Sequence, residues 1–67
     1  MSVAKVSEII ASSTVSFDDA IQQGLTRANK TLRNVKGAWI SNMKVECEGD
    51  KITEYRVDMK VTFVLND

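Results

Sequence analysis

The residue types that carry most enzyme chemistry are scarce in this chain of 67 residues. It contains no histidine and a single cysteine, Cys47, so neither a Ser/His nor a Cys/His pair of nucleophile and base can be assembled. Its glycines stand singly, which excludes a glycine-rich phosphate loop. We therefore expect a protein that is not an enzyme, with Cys47 as a packing residue.

Two pairs of carboxylates remain as candidates for chemistry. Asp18 and Asp19 fall where a helix is predicted to begin, and capping charge is the simpler interpretation. Glu46 and Glu48 would project from one face of a strand, where their oxygens could bind a hard cation such as calcium together with an oxygen-rich partner. A solvated strand face is the alternative interpretation. We keep Glu46 and Glu48 as candidate metal ligands.

Trp39, the single tryptophan, is the residue best suited to bind an organic ligand. An indole ring can stack on a planar aromatic molecule, and Arg56 could donate hydrogen bonds or place its cation over a ring. The alternative interpretation is that Trp39 packs in a core or at a subunit interface, and composition alone favours this alternative.

The elements that would position these residues follow the order β-α-β-β. A strand is predicted from Val3 to Ala11, ended by the Ser12–Thr14 triplet, and Ser16 then caps a helix with acidic residues in its first turn. Apolar residues recur along this helix at three- and four-residue steps: Phe17, Ala20, Ile21, Gly24, Leu25, Ala28 and Leu32. Gly24 within this stripe indicates a close approach of the helix to the sheet.

Two long strands complete the predicted fold, from Lys36 to Glu48 and from Ile52 to Leu65, joined by a Gly49-Asp50 turn. The second strand carries apolar residues at both parities, which predicts burial of both its faces: Ala38 and Ile40 on one side, Trp39, Met43, Val45 and Cys47 on the other. The third strand alternates strictly between apolar and polar residues. In extended conformation this strand would be about 50 Å long, whereas the predicted helix would be about 27 Å long and could not cover it.

The predicted fold class is therefore α+β, a three-stranded antiparallel sheet packed around one helix, with residues 1–67 as a single domain. So small a core, without a disulfide, indicates that copies of the chain cover what the helix leaves exposed. The formal charge is zero, with nine basic and nine acidic residues, so nucleic acid is not an expected partner. Without a membrane-length apolar run or a signal peptide, a cytoplasmic location is expected and a membrane is not.

The order of elements and two motifs resemble the dodecin family over almost the whole chain. The helix carries AIQQGLTRA at Ala20–Ala28 and TLRNV at Thr31–Val35, and the last strand carries VDMKVTF at Val57–Phe63. This resemblance implies a hollow homododecamer with the helices outside and the sheets as its inner wall. It also implies a non-catalytic protein that binds a flavin, FMN or riboflavin, for storage or buffering.

The resemblance further implies which positions would hold the flavin. The stacking tryptophan of the family corresponds to Gly37 and its ring-contacting glutamine to Arg56, whereas Glu46 matches an acidic position of some members. Trp39 projects from the same strand face as Gly37, about 6.6 Å away, and is the candidate replacement platform. The candidate cofactor-binding residues are therefore Gly37, Trp39, Glu46 and Arg56.

A second function is compatible with the same resemblance. One branch of the family, described as binding calcium, lacks the tryptophan and carries a Tyr-Arg pair similar to Tyr55-Arg56. The alternative hypothesis is therefore a flavin-free assembly of the same shape that binds calcium or another charged small molecule.

Overall fold

The computed structural model describes residues 3–65. Four elements follow one another along the chain: β1 (Ala4–Ser13), α1 (Phe17–Thr31), β2 (Val35–Glu48) and β3 (Lys51–Val64). The sheet has the order β1-β3-β2, and both pairings are antiparallel. The predicted α+β class and the β-α-β-β order are confirmed, with the last strand of the chain at the centre of the sheet.

Strand β1 is longer than predicted, because Ser12 and Ser13 continue it. Both pair with β3, opposite Arg56 and Tyr55. Ser13 is also buried, and its hydroxyl accepts the N–H of Val15 at 2.9 Å, so the serine-rich segment turns only after the strand has ended. The tendency of serine to bond nearby backbone is thus expressed at the strand end.

Helix α1 begins as the sequence predicts. The Ser16 hydroxyl accepts a hydrogen bond from the backbone N–H of Asp19 at 3.0 Å, and Asp18 and Asp19 place negative charge in the first turn. At the other end, the N–H of Leu32 donates to the carbonyl of Ala28 at 2.8 Å. The predicted helix cap is confirmed.

The core lies where the small residues of α1 press against β3. The buried helix residues are Ala20, Gly24 and Ala28, and the almost completely buried strand residues are Val57, Met59 and Val61. A Cβ atom on Gly24 would lie 2.9 Å from Met59 Sδ and 3.1 Å from Ala11 Cβ. The close approach predicted at Gly24 is therefore confirmed. Because Val57, Met59 and Val61 of β3 face the helix, the residues between them face the opposite, open side of the sheet.

Strand β2 departs from the predicted pattern at Ser41. Ile40 pairs with Met59 but Asn42 pairs with Asp58, so Ser41 is an extra residue opposite an unbroken β3, a β-bulge. Because the bulge reverses the parity of β2, the apolar residues on either side of it share the helix side: Ala38, Ile40, Met43, Val45 and Cys47. The prediction that Met43, Val45 and Cys47 lie on the side opposite Ala38 and Ile40 is therefore wrong, and Trp39 alone among these residues lies on the other face.

The helix leaves much of the apolar surface uncovered. It packs against β1 and β3 and barely touches β2, so Met43 and Val45 are 55% and 39% exposed although they lie on the helix side. Cys47, expected to be packed, is exposed as well. The chain is 51 Å long, whereas a helix of 15 residues spans about 22 Å. The predicted mismatch between a long sheet and a short helix is present.

Candidate functional site

The sheet face that points away from α1, called here the open face, carries all four residues predicted to bind a cofactor. Because Val57, Met59 and Val61 face the helix, the alternate residues of β3 belong to the open face, and their cross-strand partners share it. From β2 these partners are Gly37, Trp39, Asn42, Lys44 and Glu46. From β1 they are Val6, Glu8, Ile10 and Ser12.

Trp39 is a surface residue of the single chain. Its exposed fraction is 72%, so the alternative of a core tryptophan does not apply within one chain. It pairs with Lys60 of β3, and Lys60 Nζ lies 5.8 Å from the centroid of the indole ring. This distance is within the range of a cation–π interaction. The cation beside the ring is thus Lys60, a residue that the sequence did not single out.

Gly37 leaves free space beside Trp39. It pairs with Thr62, because the extra residue Lys36 shifts the register between Val35 and Gly37. A Cβ atom on Gly37 would meet no heavy atom within 4 Å. Gly37 and Trp39 therefore form one continuous surface on which a planar molecule has room to lie.

Arg56 and Glu46 belong to a separate group of charges, called here the ionic group. Arg56 Nη2 lies 2.9 Å from Glu54 Oε1, and Arg56 Nη1 lies 3.7 Å from Glu46 Oε1. Lys44 Nζ adds a further contact to Glu46 Oε1 at 3.3 Å. Two cations and two carboxylates thus neutralise one another on partly exposed side chains.

The ionic group and the surface formed by Gly37 and Trp39 are separated along the sheet. Arg56 and Lys60 are four residues apart on β3, a distance of about 13 Å in extended chain. The structure therefore brings Gly37 together with Trp39, and Glu46 together with Arg56, but it does not bring the two pairs together within one chain.

The predicted metal ligands lie at the end of β2. Glu46 and Glu48 flank Cys47 on a strand that continues without a bulge there, since the extra residue, Thr53, belongs to β3. The Glu46 carboxylate is already paired with two cations, and Glu48 stands opposite Lys51. Among residues 3–65, no group of three or more acidic or cysteine side chains is placed to hold a metal ion. Nor does this part of the chain contain a helix with the length and apolar character to cross a membrane.

The sequence alone does not identify Lys60 as the partner of Trp39, because this requires the register between β2 and β3. The alternation of β3 places Lys60 on the polar side, but it places Arg56, Asp58 and Thr62 there as well. Which of these stands opposite Trp39 depends on the extra residues in β2 at positions 36 and 41. The change of parity among the apolar residues of β2 does not fix the positions of those insertions, so the partner of Trp39 emerges only from the pairing.

Comparison with known proteins gives a consistent result. The chain matches the family model described as Dodecin over residues 3–66. A variant of the T. thermophilus dodecin is 30% identical, with both chains covered completely and a TM-score of 0.93. The dodecin from Streptomyces davaonensis is 29% identical, with 98% of this chain and 97% of that chain covered and a TM-score of 0.92.

One further solved structure shares the fold alone. It is the calcium dodecin from Mycobacterium tuberculosis, described as calcium chelating. It is 23% identical, with 96% of this chain and 91% of that chain covered and a TM-score of 0.82. Among curated proteins, no sequence matches the chain.

Proposed function

The chain belongs to the dodecin family, and on that premise we propose that it is a non-catalytic, self-assembling protein that binds a flavin, FMN or riboflavin, for storage or buffering. The observation that carries this proposal is the exposure of Trp39, 72% of whose surface is open on the sheet face opposite the helix. A cytoplasmic location remains the expectation from the sequence.

An exposed indole on a flat sheet face is suited to a planar ligand. Aromatic side chains bury about 150–250 Å² when they are covered, and stacked aromatic pairs contribute roughly 0.5–1.5 kcal/mol beyond the buried area. The flavin ring system is planar, aromatic and electron-poor, which favours stacking on the electron-rich indole. The free space at Gly37 supports the same proposal, because the ring would extend over it without a steric conflict.

The residues present fit a flavin in part. Trp39 would supply the platform, with Gly37 as the floor next to it. Arg56 and Glu46 remain proposed polar contacts, but their mutual ion pairing and their distance from Trp39 along the strand give them a secondary role within one chain. The bound flavin would supply its colour, its fluorescence and its redox-active ring. The residues of this chain would do no more than hold that ring and exclude water from it.

Self-assembly, proposed here as a homododecamer, is supported by the uncovered apolar residues. Large apolar side chains are exposed on both faces and at both ends of the sheet: Val3, Val6, Ile10, Val15, Trp39, Met43, Val45, Ile52 and Leu65. So many exposed apolar residues on so small a domain indicate an interaction surface. Native mass spectrometry is expected to give twelve times 7.5 kDa, or about 90 kDa, and a stable monomer would contradict the proposal.

The test of flavin binding is a fluorescence titration of FMN with the assembled protein. Wild-type protein is expected to quench FMN at micromolar concentration, and Trp39→Ala is expected to lose most of this quenching while keeping the assembly. Met43→Ala is the matched control, because it removes another exposed apolar side chain of the same strand on the opposite face, so a loss of quenching common to both variants would reflect the assembly and not the ligand. An intact wild-type assembly that leaves FMN fluorescence unchanged would exclude the proposal. Loss of assembly in Trp39→Ala would instead assign Trp39 to a subunit interface.

The alternative, a flavin-free assembly that binds calcium or another charged small molecule, has less support. The fold is shared with a protein described as calcium chelating. Within this chain, however, the carboxylate of Glu46 is paired with Lys44 and Arg56. A cation would have to displace both basic side chains to reach it, so we place this hypothesis second.

A further inference from the structure

We propose that Lys60 makes the site at Trp39 selective for charge. The site then binds a planar ring compound that carries a negatively charged group more tightly than its neutral counterpart. This inference rests on the proposed flavin binding and deepens it, since it concerns which flavin is held. FMN and riboflavin share the same ring system and differ by one phosphate, and they therefore separate stacking from charge.

The first argument is the position of Lys60. Trp39 and Lys60 are direct cross-strand partners on the open face, and Nζ lies 5.8 Å from the indole centroid. A ligand stacked on this ring would lie within a few ångströms of a positive charge. Because the interaction between charges falls with distance, this ammonium group is the charge that such a ligand meets first.

The second argument is that Lys60 is not neutralised by a carboxylate. Glu8 of β1 is its cross-strand partner on the other side, yet no ion pair between residues 3–65 includes Lys60. Of the other cations of this face, Lys44 and Arg56 are both paired with Glu46, and Lys51 stands opposite Glu48 near the far end of the sheet. Lys60 is therefore a basic residue of the open face that has no ion pair among residues 3–65, and it is the one that lies beside the ring.

Two carboxylates oppose this effect. Asp58 is two residues from Lys60 on β3, on the diagonal from Trp39, and Glu8 is two strands away from Trp39. Diagonal neighbours in a sheet are about 7–8 Å apart and a second strand is about 10 Å away, so both carboxylates are attached at backbone positions farther from Trp39 than its direct partner Lys60. At physiological salt, with a screening length of about 8 Å, the nearest charge dominates. This arrangement fixes the direction of the expected changes: removing Lys60 should lower the preference for a negatively charged ligand, and removing Glu8 should raise it.

The experiment measures the affinities of FMN and riboflavin for assembled wild-type protein and for charge variants at low salt. Wild-type protein is expected to prefer FMN by about fivefold, which corresponds to one partly screened charge. Lys60→Gln is expected to bring the preference close to one, whereas Lys60→Arg should keep it and Glu8→Gln should raise it. Lys30→Gln, which removes an equal charge from the exposed side of α1, is the matched control and should leave the preference unchanged.

A second readout does not need a ligand. Trp39 is the single tryptophan, so the emission of the ligand-free protein reports its surroundings. Lys60→Gln is expected to change this emission, and Lys30→Gln is not.

The outcomes separate the inference from the function beneath it. If FMN and riboflavin both bind but with equal affinity, or if Lys60→Gln keeps the preference for FMN, the role of Lys60 is overturned and flavin binding stands. If neither compound binds the wild-type assembly, both proposals fall. Should Lys60→Gln not assemble, Lys60→Arg and Glu8→Gln still decide the matter: the first should keep the preference for FMN and the second should raise it, and an unchanged preference in Glu8→Gln would overturn the role of Lys60.

Discussion

Gly24 of α1 and Met59 of β3 are packed so closely that a single methyl group cannot be added between them without movement. A Cβ atom on Gly24 would lie 2.9 Å from Met59 Sδ, and Met59 is only 1% exposed. The other side of the same space is closed by Ala11 Cβ at 3.1 Å. The distance between helix and sheet is therefore set by the absence of a side chain at position 24.

This contact predicts that Gly24→Ala destabilises the protein. Alanine would gain up to about 1 kcal/mol of helix propensity, but overpacking a well-filled core costs about 1–3 kcal/mol. We expect a net loss of up to about 2 kcal/mol in the free energy of unfolding. The measurement is urea or thermal unfolding at one fixed protein concentration, because assembly makes stability concentration-dependent.

Gly37→Ala is the control for this substitution. The new methyl group would meet nothing within 4 Å, so we expect little change in stability. Equal losses in the two variants would show that the effect at Gly24 is not specific to its packing against Met59.

A second prediction concerns the position at which the family resemblance places a tryptophan. Gly37→Trp would add an aromatic ring on the open face next to Trp39, in space that is empty in the single chain. We expect the affinity for FMN to rise by up to about tenfold, the effect of one added aromatic stack of 0.5–1.5 kcal/mol. The measurement is the same fluorescence titration, with the size of the assembly checked in parallel.

Gly37→Leu separates aromatic stacking from bulk. It fills part of the same space with an apolar side chain that has no π-system, and it should give a smaller gain than Gly37→Trp. If leucine were as effective as tryptophan, apolar burial would explain the gain and stacking at position 37 would be unsupported.

The third prediction addresses calcium. Because Lys44 and Arg56 already neutralise Glu46, we expect 1 mM calcium to raise the melting temperature by no more than about 1 °C, since a ligand stabilises only in proportion to its binding to the folded state. Magnesium at the same concentration is the control for ionic strength. A clear rise with calcium that disappears in Glu46→Gln would instead favour the cation-binding alternative.

The parts of the fold that depend on local signals were predictable from the sequence. Ser16 with its acidic first turn located the helix, and the alternation from Tyr55 to Leu65 located the last strand. Gly24 indicated the close packing of helix and sheet because a glycine on a buried stripe needs a compensating contact. Each of these features is defined by residues that lie close together along the chain, so local spacing is enough to predict it.

The candidate site was predictable only in part. Strict alternation placed Met43 and Val45 on the same side as Trp39, and the extra residue Ser41 reverses that assignment. A bulge of this kind leaves a switch of parity in the apolar residues, but a strand buried on both faces has apolar residues at both parities as well, so the sequence does not distinguish the two. For the same reason Lys60, the direct partner of Trp39, could not be recognised before the register was known.

The central position of β3 has a consequence for how this protein is made. β3 is the last of the four elements in chain order, yet β1 and β2 both depend on it for their backbone hydrogen bonds. At about 5–20 residues per second, a ribosome releases β1 seconds before its partner exists, whereas a hairpin such as β2–β3 closes in about 1–10 μs once it is complete. The first strand of the nascent chain must therefore wait for its partner until the last strand has been synthesised.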